Sequence, residues 1–171
     1  KQLESAGAEY EEISLPLTMK HGMSAYYILA TSEASTNLAK YCGMRYGKQE
    51  KLEGSFNEYF TKVRSSHLGK EAKRRIIIGT FARMAGFRDA YYMKAMRIRS
   101  KVIDEYRKAF KDYDMLASPA VPTVAPGFDE IDNMSLLQSY MFDTLSVGPN
   151  MAGLPHMNVP AGFVKKKGKE L

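Results

Sequence analysis

The sequence predicts an α/β fold in which helices cover a mixed central sheet and helix predominates over strand. Short apolar segments closed by proline are typical of strands, and the long segments between them carry apolar residues three and four positions apart, as helices do. Strands that are separated by long helices need crossover connections, which favours a parallel or mixed sheet. The chain has 171 residues, of which 44% are hydrophobic and 26% charged, so the composition fits one folded domain and excludes a disordered tail.

The first third of the sequence predicts a short strand followed by a long helix. The segment 10–15 has two apolar residues two positions apart and is followed by Pro16, which is typical of a strand that ends there. The segment 23–41 is rich in Ala, Ser, Leu and Tyr and has no Gly or Pro before Cys42 and Gly43, which predicts a helix. The residues expected to face inward from this helix are Ala25, Ile28, Leu29 and Leu38.

The middle of the sequence predicts three successive helices. Ser55 is a suitable N-cap, and Glu58 three residues later completes a capping-box pattern for a helix over 56–66. A second helix is predicted over 70–85, after Gly69. The longest is predicted over 87–113, because its apolar residues recur at spacings of three and four.

After Asp114 the sequence becomes irregular and rich in proline. The apolar run 115–118 predicts a buried strand that Pro119 ends, and Ser135 predicts the start of a short helix that continues to Phe142. Further strand pieces are predicted at 157–159 and 163–164. About three short strands are too little sheet for a complete domain of this type. We therefore expect residues 1–171 to be part of a larger domain whose other strands are missing.

The charge pattern leaves two interpretations open. The net charge is +6, and half of this excess lies in the lysine-rich segment 165–170. Such a run is typical of a solvated tail, although it also suits a basic helical module that binds RNA or an acidic partner. Elsewhere Arg and Lys alternate with acidic residues and form no continuous stripe, which weighs against the RNA-binding interpretation. The single cysteine fits a reducing compartment, and no apolar run of transmembrane length occurs.

Common catalytic signatures are missing from the sequence. It has no phosphate-binding Gly-Lys-Ser/Thr loop and no Gly-x-Ser-x-Gly turn, and the three histidines, at 21, 67 and 156, are too far apart for a metal-ligand spacing. The polar run 32–37, within an otherwise apolar helix, is either a solvated face or the lining of a pocket.

Two charged residues could recognise a small substrate. Arg74 and Arg75 precede three isoleucines, so an arginine on the buried face needs an anion, which Glu71 four residues before Arg75 could supply. Alternatively, Arg75 could hold a substrate carboxylate through its planar guanidinium. Asp143 could cap the next segment, or it could bind a substrate ammonium group. An arginine and an aspartate together would suit the two charged ends of a free amino acid.

Three blocks of the sequence resemble one known family. They run over 25–47, which includes Gly-Met-Arg-Tyr-Gly, over 69–92, which includes Lys-Arg-Arg-Ile, and over 118–162, which includes Asn-Met-Ala-Gly-Leu-Pro. In this order they resemble the amidase signature family and, within it, the glutaminase subunits (A-subunits) of the tRNA-dependent amidotransferases. The resemblance covers nearly the whole chain. It implies that residues 1–171 are the carboxy-terminal portion of a single amidase-signature domain, without the catalytic half that precedes it.

The resemblance also implies a function and its partners. A glutaminase of this family hydrolyses glutamine, and the ammonia passes to the B-subunit, which uses ATP and magnesium to amidate glutamate charged on tRNA. Aspartate charged on tRNA is an alternative or additional acceptor in this family. The C-subunit then completes a cytoplasmic heterotrimer. An amidase with another amide substrate is the alternative within the family. No cofactor is expected on this portion.

The resemblance implies that three residues of this chain recognise glutamine. Arg75 matches the arginine that holds the α-carboxylate, Asp143 the aspartate that holds the α-amino group, and Tyr26 a tyrosine of the glutamine pocket. Arg74 is an alternative to Arg75 by one position. The Ser, cis-Ser and Lys that carry the family's chemistry match no residue of this chain, so this portion alone is expected to be inactive.

Overall fold

The computed structural model describes residues 2–163, 165–166 and 169–170, and most of its regular structure is helical. A 3₁₀ turn, Leu38–Lys40, and a π-helical turn, Asp89–Met93, join the α-helices. The α-helices are α1 (Gln2–Ser5), α2 (Pro16–Asn37), α3 (Phe56–His67), α4 (Lys70–Arg83), α5 (Lys94–Ala109), α6 (Phe128–Asp132), α7 (Leu136–Met141) and α8 (Val147–Ala152). Two short strands, β1 (Lys165–Lys166) and β2 (Lys169–Glu170), pair antiparallel with Lys165 opposite Glu170.

The central element is α2, and it begins seven residues earlier than the sequence predicts. Pro16 is its first residue and not the end of a strand, because proline has a helical φ and its missing N–H is not needed in the first turn. The carboxylate of Glu105, on α5, accepts hydrogen bonds from the backbone N–H groups of Leu17 and Thr18, both at 2.9 Å. An anion at this position stabilises the positive end of the α2 dipole.

The hydrophobic core lies between α2, α5 and α8. The predicted inward residues Ala25 and Leu29 are buried there, while Ile28 is partly buried against the same cluster and Leu38 is half-buried. On α5, Arg99 donates from Nε to the Met151 carbonyl of α8 at 2.9 Å, which satisfies a carbonyl in the last turn of that helix. The core residues are Ala25, Leu29, Ala95, Val102, Tyr106 and Met151.

A close crossing joins α2 to α4. Gly79 on α4 is buried against the backbone of Thr31 and Ser32, and a Cβ at this position would overlap the Thr31 carbonyl. Glycine is therefore required here by the approach of two backbones. This contact fixes the position of α4, and with it the arginines of its first two turns, against α2.

The predicted capping box at Ser55 is formed, and the predicted N-cap Ser135 also belongs to a capping box. Ser55 and Glu58 bond reciprocally at the start of α3, and Ser135 and Gln138 do the same at the start of α7. The α3 cap leads into a buried tyrosine, Tyr59, whose hydroxyl donates to the Gly43 carbonyl at 2.9 Å. α3 therefore holds the long loop that follows α2.

The predicted helix over 87–113 is correct only in part. A π-helical turn precedes α5, in which the N–H of Met93 bonds to the Arg88 carbonyl five residues earlier at 2.9 Å. α5 then ends at Ala109.

The predicted strands at 10–15, 115–118 and 157–159 are wrong. These segments are extended or irregular and make no ladder, and residues such as Tyr10, Met115 and Met157 are largely exposed. A strand is stable only beside a partner strand, and the described residues offer none to these segments. In the 163–164 segment Phe163 is also outside any strand, and Val164 lies outside the described residues. The predicted mixed sheet is therefore not seen in the part of the chain that the structure describes, where β1 and β2 form the only ladder.

Among the described helices, none combines the length and the apolar character that crossing a lipid bilayer requires.

Candidate functional site

Arg75 lies in the second turn of α4 and is held by a carboxylate on its own helix. Its Nε donates to Glu71 Oε1 at 2.8 Å, and Arg74 Nη1 bonds to Glu71 Oε2 at 2.5 Å. The Glu71–Arg75 pair that the sequence predicts as the structural alternative is thus formed. Among the described residues, Arg75 is engaged only through Nε, so both terminal Nη groups remain available for a planar carboxylate.

Glu71 also connects α4 to the segment that carries Asp143. The hydroxyl of Tyr140, on α7, donates to Glu71 Oε1 at 2.9 Å. The Tyr140 ring stacks on the Tyr27 ring of α2, with centroids 4.2 Å apart and planes 23° apart. The Tyr27 hydroxyl then donates to Asp143 Oδ2 at 2.6 Å. We call Glu71, Tyr140 and Tyr27 the linking cluster, since they connect Arg75 to Asp143.

Asp143 lies two residues beyond α7 and does not cap the next helix. The N-cap of α8 is Ser146, whose side chain makes no capping hydrogen bond. The Asp143 backbone carbonyl accepts from the N–H groups of Ser146 and Val147, both at 3.0 Å, while its carboxylate points to Tyr27. The predicted capping of the next helix by the Asp143 side chain is therefore wrong. Asp143 Oδ1 has no hydrogen-bond donor among the described residues, so the carboxylate can accept another donor, such as an ammonium group.

The charges of this cluster are mutually stabilised. The hydrogen bond from Arg75 holds the pKa of the Glu71 carboxyl below its usual range, and the same bond raises the pKa of Arg75. Burial raises the pKa of the Tyr27 phenol, and its bond to the Asp143 carboxylate adds to this effect. Burial and the bond to Glu71 raise the pKa of Tyr140 as well. At neutral pH the site therefore has a charged Arg75, a charged Glu71 and two neutral phenols that act as donors.

Tyr26 does not share the contacts of this cluster. It packs half-buried against the hydrophobic core and meets Tyr27 edge-on, with ring centroids 5.4 Å apart. The structure thus places Arg75 and Asp143 on one linked set of side chains, and Tyr26 next to that set. Sequence reasoning missed Tyr140 and Tyr27, since it assigned only Tyr26 to the site. The spacing of three residues between Tyr140 and Asp143 was the available signal.

The polar run of α2 lines an open pocket. Ser32, Glu33, Thr36 and Asn37 surround a cavity of about 330 Å³ together with two residues from α4 and the π-helical turn, Arg83 and Tyr92. Arg83 donates from Nη2 to Ser35 Oγ at 2.9 Å. Glu33, Thr36 and Asn37 are exposed, so this run is a solvent-facing surface of α2 that also borders the open pocket. No group of three or more potential metal ligands occurs among the described residues.

Comparison with known proteins finds one family. The family profile described as Amidase matches residues 1–169. The chain is 45% identical over 165 residues to the glutamyl-tRNA(Gln) amidotransferase A-subunit of Streptococcus suis strain 05ZYH33, which covers 96% of this chain and 33% of the relative. The proteins of the same name from Streptococcus uberis and from Streptococcus pyogenes serotype M49 are 43% and 44% identical over 164 residues, with the same coverage.

The chain spans about a third of the length of the curated relatives it matches. The profile match extends through every described helix, from α1 to α8. The chain therefore belongs to the amidase family.

Proposed function

We propose that this chain forms one wall of the glutamine site in the glutaminase subunit of a tRNA-dependent amidotransferase. Arg75 binds the α-carboxylate of glutamine through its two Nη groups, and Asp143 binds the α-ammonium group. The observation that carries the proposal is that these two residues, far apart in sequence, are joined by the linking cluster. Tyr26, adjacent to Tyr27, lines the apolar side of the pocket.

The remaining parts of the proposal follow the relatives. The names of the streptococcal proteins state amidation of glutamyl-tRNA(Gln) by a protein with several subunits. Glutamine hydrolysed at this site would supply ammonia to the B-subunit, where ATP and magnesium would be used to amidate charged tRNA, and the C-subunit would complete a cytoplasmic heterotrimer. The catalytic Ser, cis-Ser and Lys would lie outside this segment, so the 171 residues alone would not hydrolyse glutamine.

The test uses an exchange subunit, in which this chain replaces the homologous third of the Streptococcus suis protein. Ammonia release from glutamine is measured in the presence of the Streptococcus suis partner subunits. We expect Arg75→Ala and Asp143→Ala each to lower kcat/KM by about a hundredfold, because each removes a charged hydrogen bond to substrate. Lys101→Ala on the exposed side of α5 is the matched control.

Two results would contradict the proposal. One is an exchange subunit that folds and assembles but releases no ammonia, while the unmodified streptococcal protein does. The other is full activity in both Arg75→Ala and Asp143→Ala. If Arg74→Ala causes the loss and Arg75→Ala does not, the carboxylate contact is assigned to the neighbouring arginine.

A further inference from the structure

The linking cluster holds both charged residues of the proposed site through side chains that need not touch substrate. Glu71 receives three donors, from Arg74, Arg75 and Tyr140. Its Oε1 accepts both the Arg75 Nε and the Tyr140 hydroxyl, so the orientation of the guanidinium and the position of α7 depend on one oxygen atom.

Tyr27 has the corresponding role for the aspartate. Its hydroxyl bonds to Asp143 Oδ2 at 2.6 Å, a short distance that is typical of a bond to a charged acceptor. Within the part of the chain that the structure describes, Oδ2 is the only carboxylate oxygen of Asp143 with a donor, so Oδ1 can accept a further one. The stacking of Tyr27 on Tyr140 then couples the Asp143 contact to the Arg75 contact.

We propose that Glu71 and Tyr27 are positioning residues, which fix the spacing between Arg75 and Asp143 and thereby select substrates that carry both an α-carboxylate and an α-ammonium group. This inference rests on the proposed glutaminase function. Glu71 aligns the Nη edge of Arg75 with the carboxylate, and Tyr27 aligns Asp143 with the ammonium group. Neither residue supplies or accepts the proton of the hydrolysis.

Three amide substrates distinguish the alignment of Arg75 by Glu71 from the alignment of Asp143 by Tyr27. Glutamine carries both charged groups, glutaric acid monoamide lacks the α-amino group, and 4-aminobutanamide lacks the α-carboxylate. All three keep the scissile amide. Initial rates of ammonia release are measured with the assembled complex of the exchange subunit, and thermal melting confirms that each variant is folded.

Each variant has its own expected pattern. Glu71→Ala raises KM about tenfold for glutamine and for the monoamide, which both need an aligned Arg75, and raises it much less for 4-aminobutanamide, which depends on Glu71 only through the position of α7. Tyr27→Phe raises KM about tenfold for glutamine and 4-aminobutanamide and leaves the monoamide unchanged. In both variants kcat stays close to that of the parent. Glu71→Gln keeps an acceptor oxygen and shows a smaller increase than Glu71→Ala. Glu53→Gln, an exposed carboxylate in the loop before α3, is the matched control.

The outcomes that overturn this inference differ from those that overturn the function. If glutamine is hydrolysed by the parent but both variants change all three substrates equally, or change none, Glu71 and Tyr27 are structural only. A loss in kcat at constant KM would instead place them in the chemical step, which also contradicts a positioning role. If Glu71→Ala does not fold, the comparison of Glu71→Gln with the parent decides the case, since unchanged KM ratios refute the inference. Absence of glutamine hydrolysis in the folded parent is a failure of the proposed function.

Discussion

Replacing Gly79 by alanine should push α2 and α4 apart. The added Cβ would overlap the carbonyl of Thr31 and lie 2.8 Å from the Ser32 nitrogen, where ordinary van der Waals contact begins at 3.4 Å. Both obstructing groups are helix backbone, which cannot rotate away as a side chain can. The helices must therefore separate by at least about 0.6 Å at Ser32 and by more at Thr31.

The free energy of unfolding should fall by about 2 kcal/mol. Inserting a methyl group into a closely packed contact costs about 1–3 kcal/mol, and a clash with backbone belongs at the upper end of that range. Alanine is a better helix former than glycine by about 1 kcal/mol, which offsets part of the cost. The separation would also expose Thr31 and Ser32, which are buried in this contact.

Urea unfolding of the exchange subunit, followed by near-ultraviolet circular dichroism, measures this change. Gly22→Ala is the control, because Gly22 also lies within a helix but its Cβ would meet its nearest neighbours at 3.6 Å, an ordinary contact distance. Gly22→Ala should be stabilising by about 0.5–1 kcal/mol. A Gly79→Ala variant as stable as Gly22→Ala would refute the close crossing of the two helices.

Two further predictions concern the core and the pH dependence of stability. Val102→Ala leaves a cavity in the fully buried centre of the core and should lower the free energy of unfolding by about 2 kcal/mol, whereas Lys101→Ala beside it should change little, as measured by the same urea titration. Glu71 has a folded-state pKa below its unfolded value of 4.5, so its stabilising contribution is present above pH 4.5 and is lost as the pH falls through the folded pKa. The difference in unfolding free energy between the parent and Glu71→Gln should therefore be largest at neutral pH and shrink below pH 4.5. A difference that is independent of pH would contradict this assignment.

Local signals in the sequence were sufficient for most helices. The capping boxes at Ser55 and Ser135 are each contained within four residues, so their chemistry does not depend on the rest of the chain. The apolar spacing of α2 likewise identified residues that are buried in the core, such as Ala25 and Leu29. Its start was misjudged because Pro16 suits both the end of a strand and the first turn of a helix, and the deciding interaction comes from Glu105 on α5.

Strands depend on distant partners, which explains the failed predictions at 10–15 and 115–118. An alternating or apolar pattern shows only that a segment could form a strand. Whether it does depends on a second segment that lies close enough to form the backbone hydrogen bonds of a ladder. The candidate site shows the same difference between local contacts and contacts that join distant parts of the chain. The Glu71–Arg75 pair is local to one helix and was predictable, but the stack of Tyr27 on Tyr140 joins residues more than a hundred positions apart.

The π-helical turn before α5 determines which of two neighbouring tyrosines reaches the core. Tyr92 packs against the core cluster, whereas Tyr91 is 42% exposed and lies beside the rings of Phe81 and Phe87. Each residue of a helix advances the side-chain direction by about 100°, so the wider turn sets the rotational phase between α5 and everything that precedes it. The wider turn uses one residue more than a regular turn to complete about the same rotation, so Asp89–Met93 absorbs an extra residue while α5 keeps its orientation toward the core. A single insertion within α5, where no wider turn absorbs it, would instead rotate the side chains on one side of it by about 100° relative to those on the other and turn core residues toward solvent.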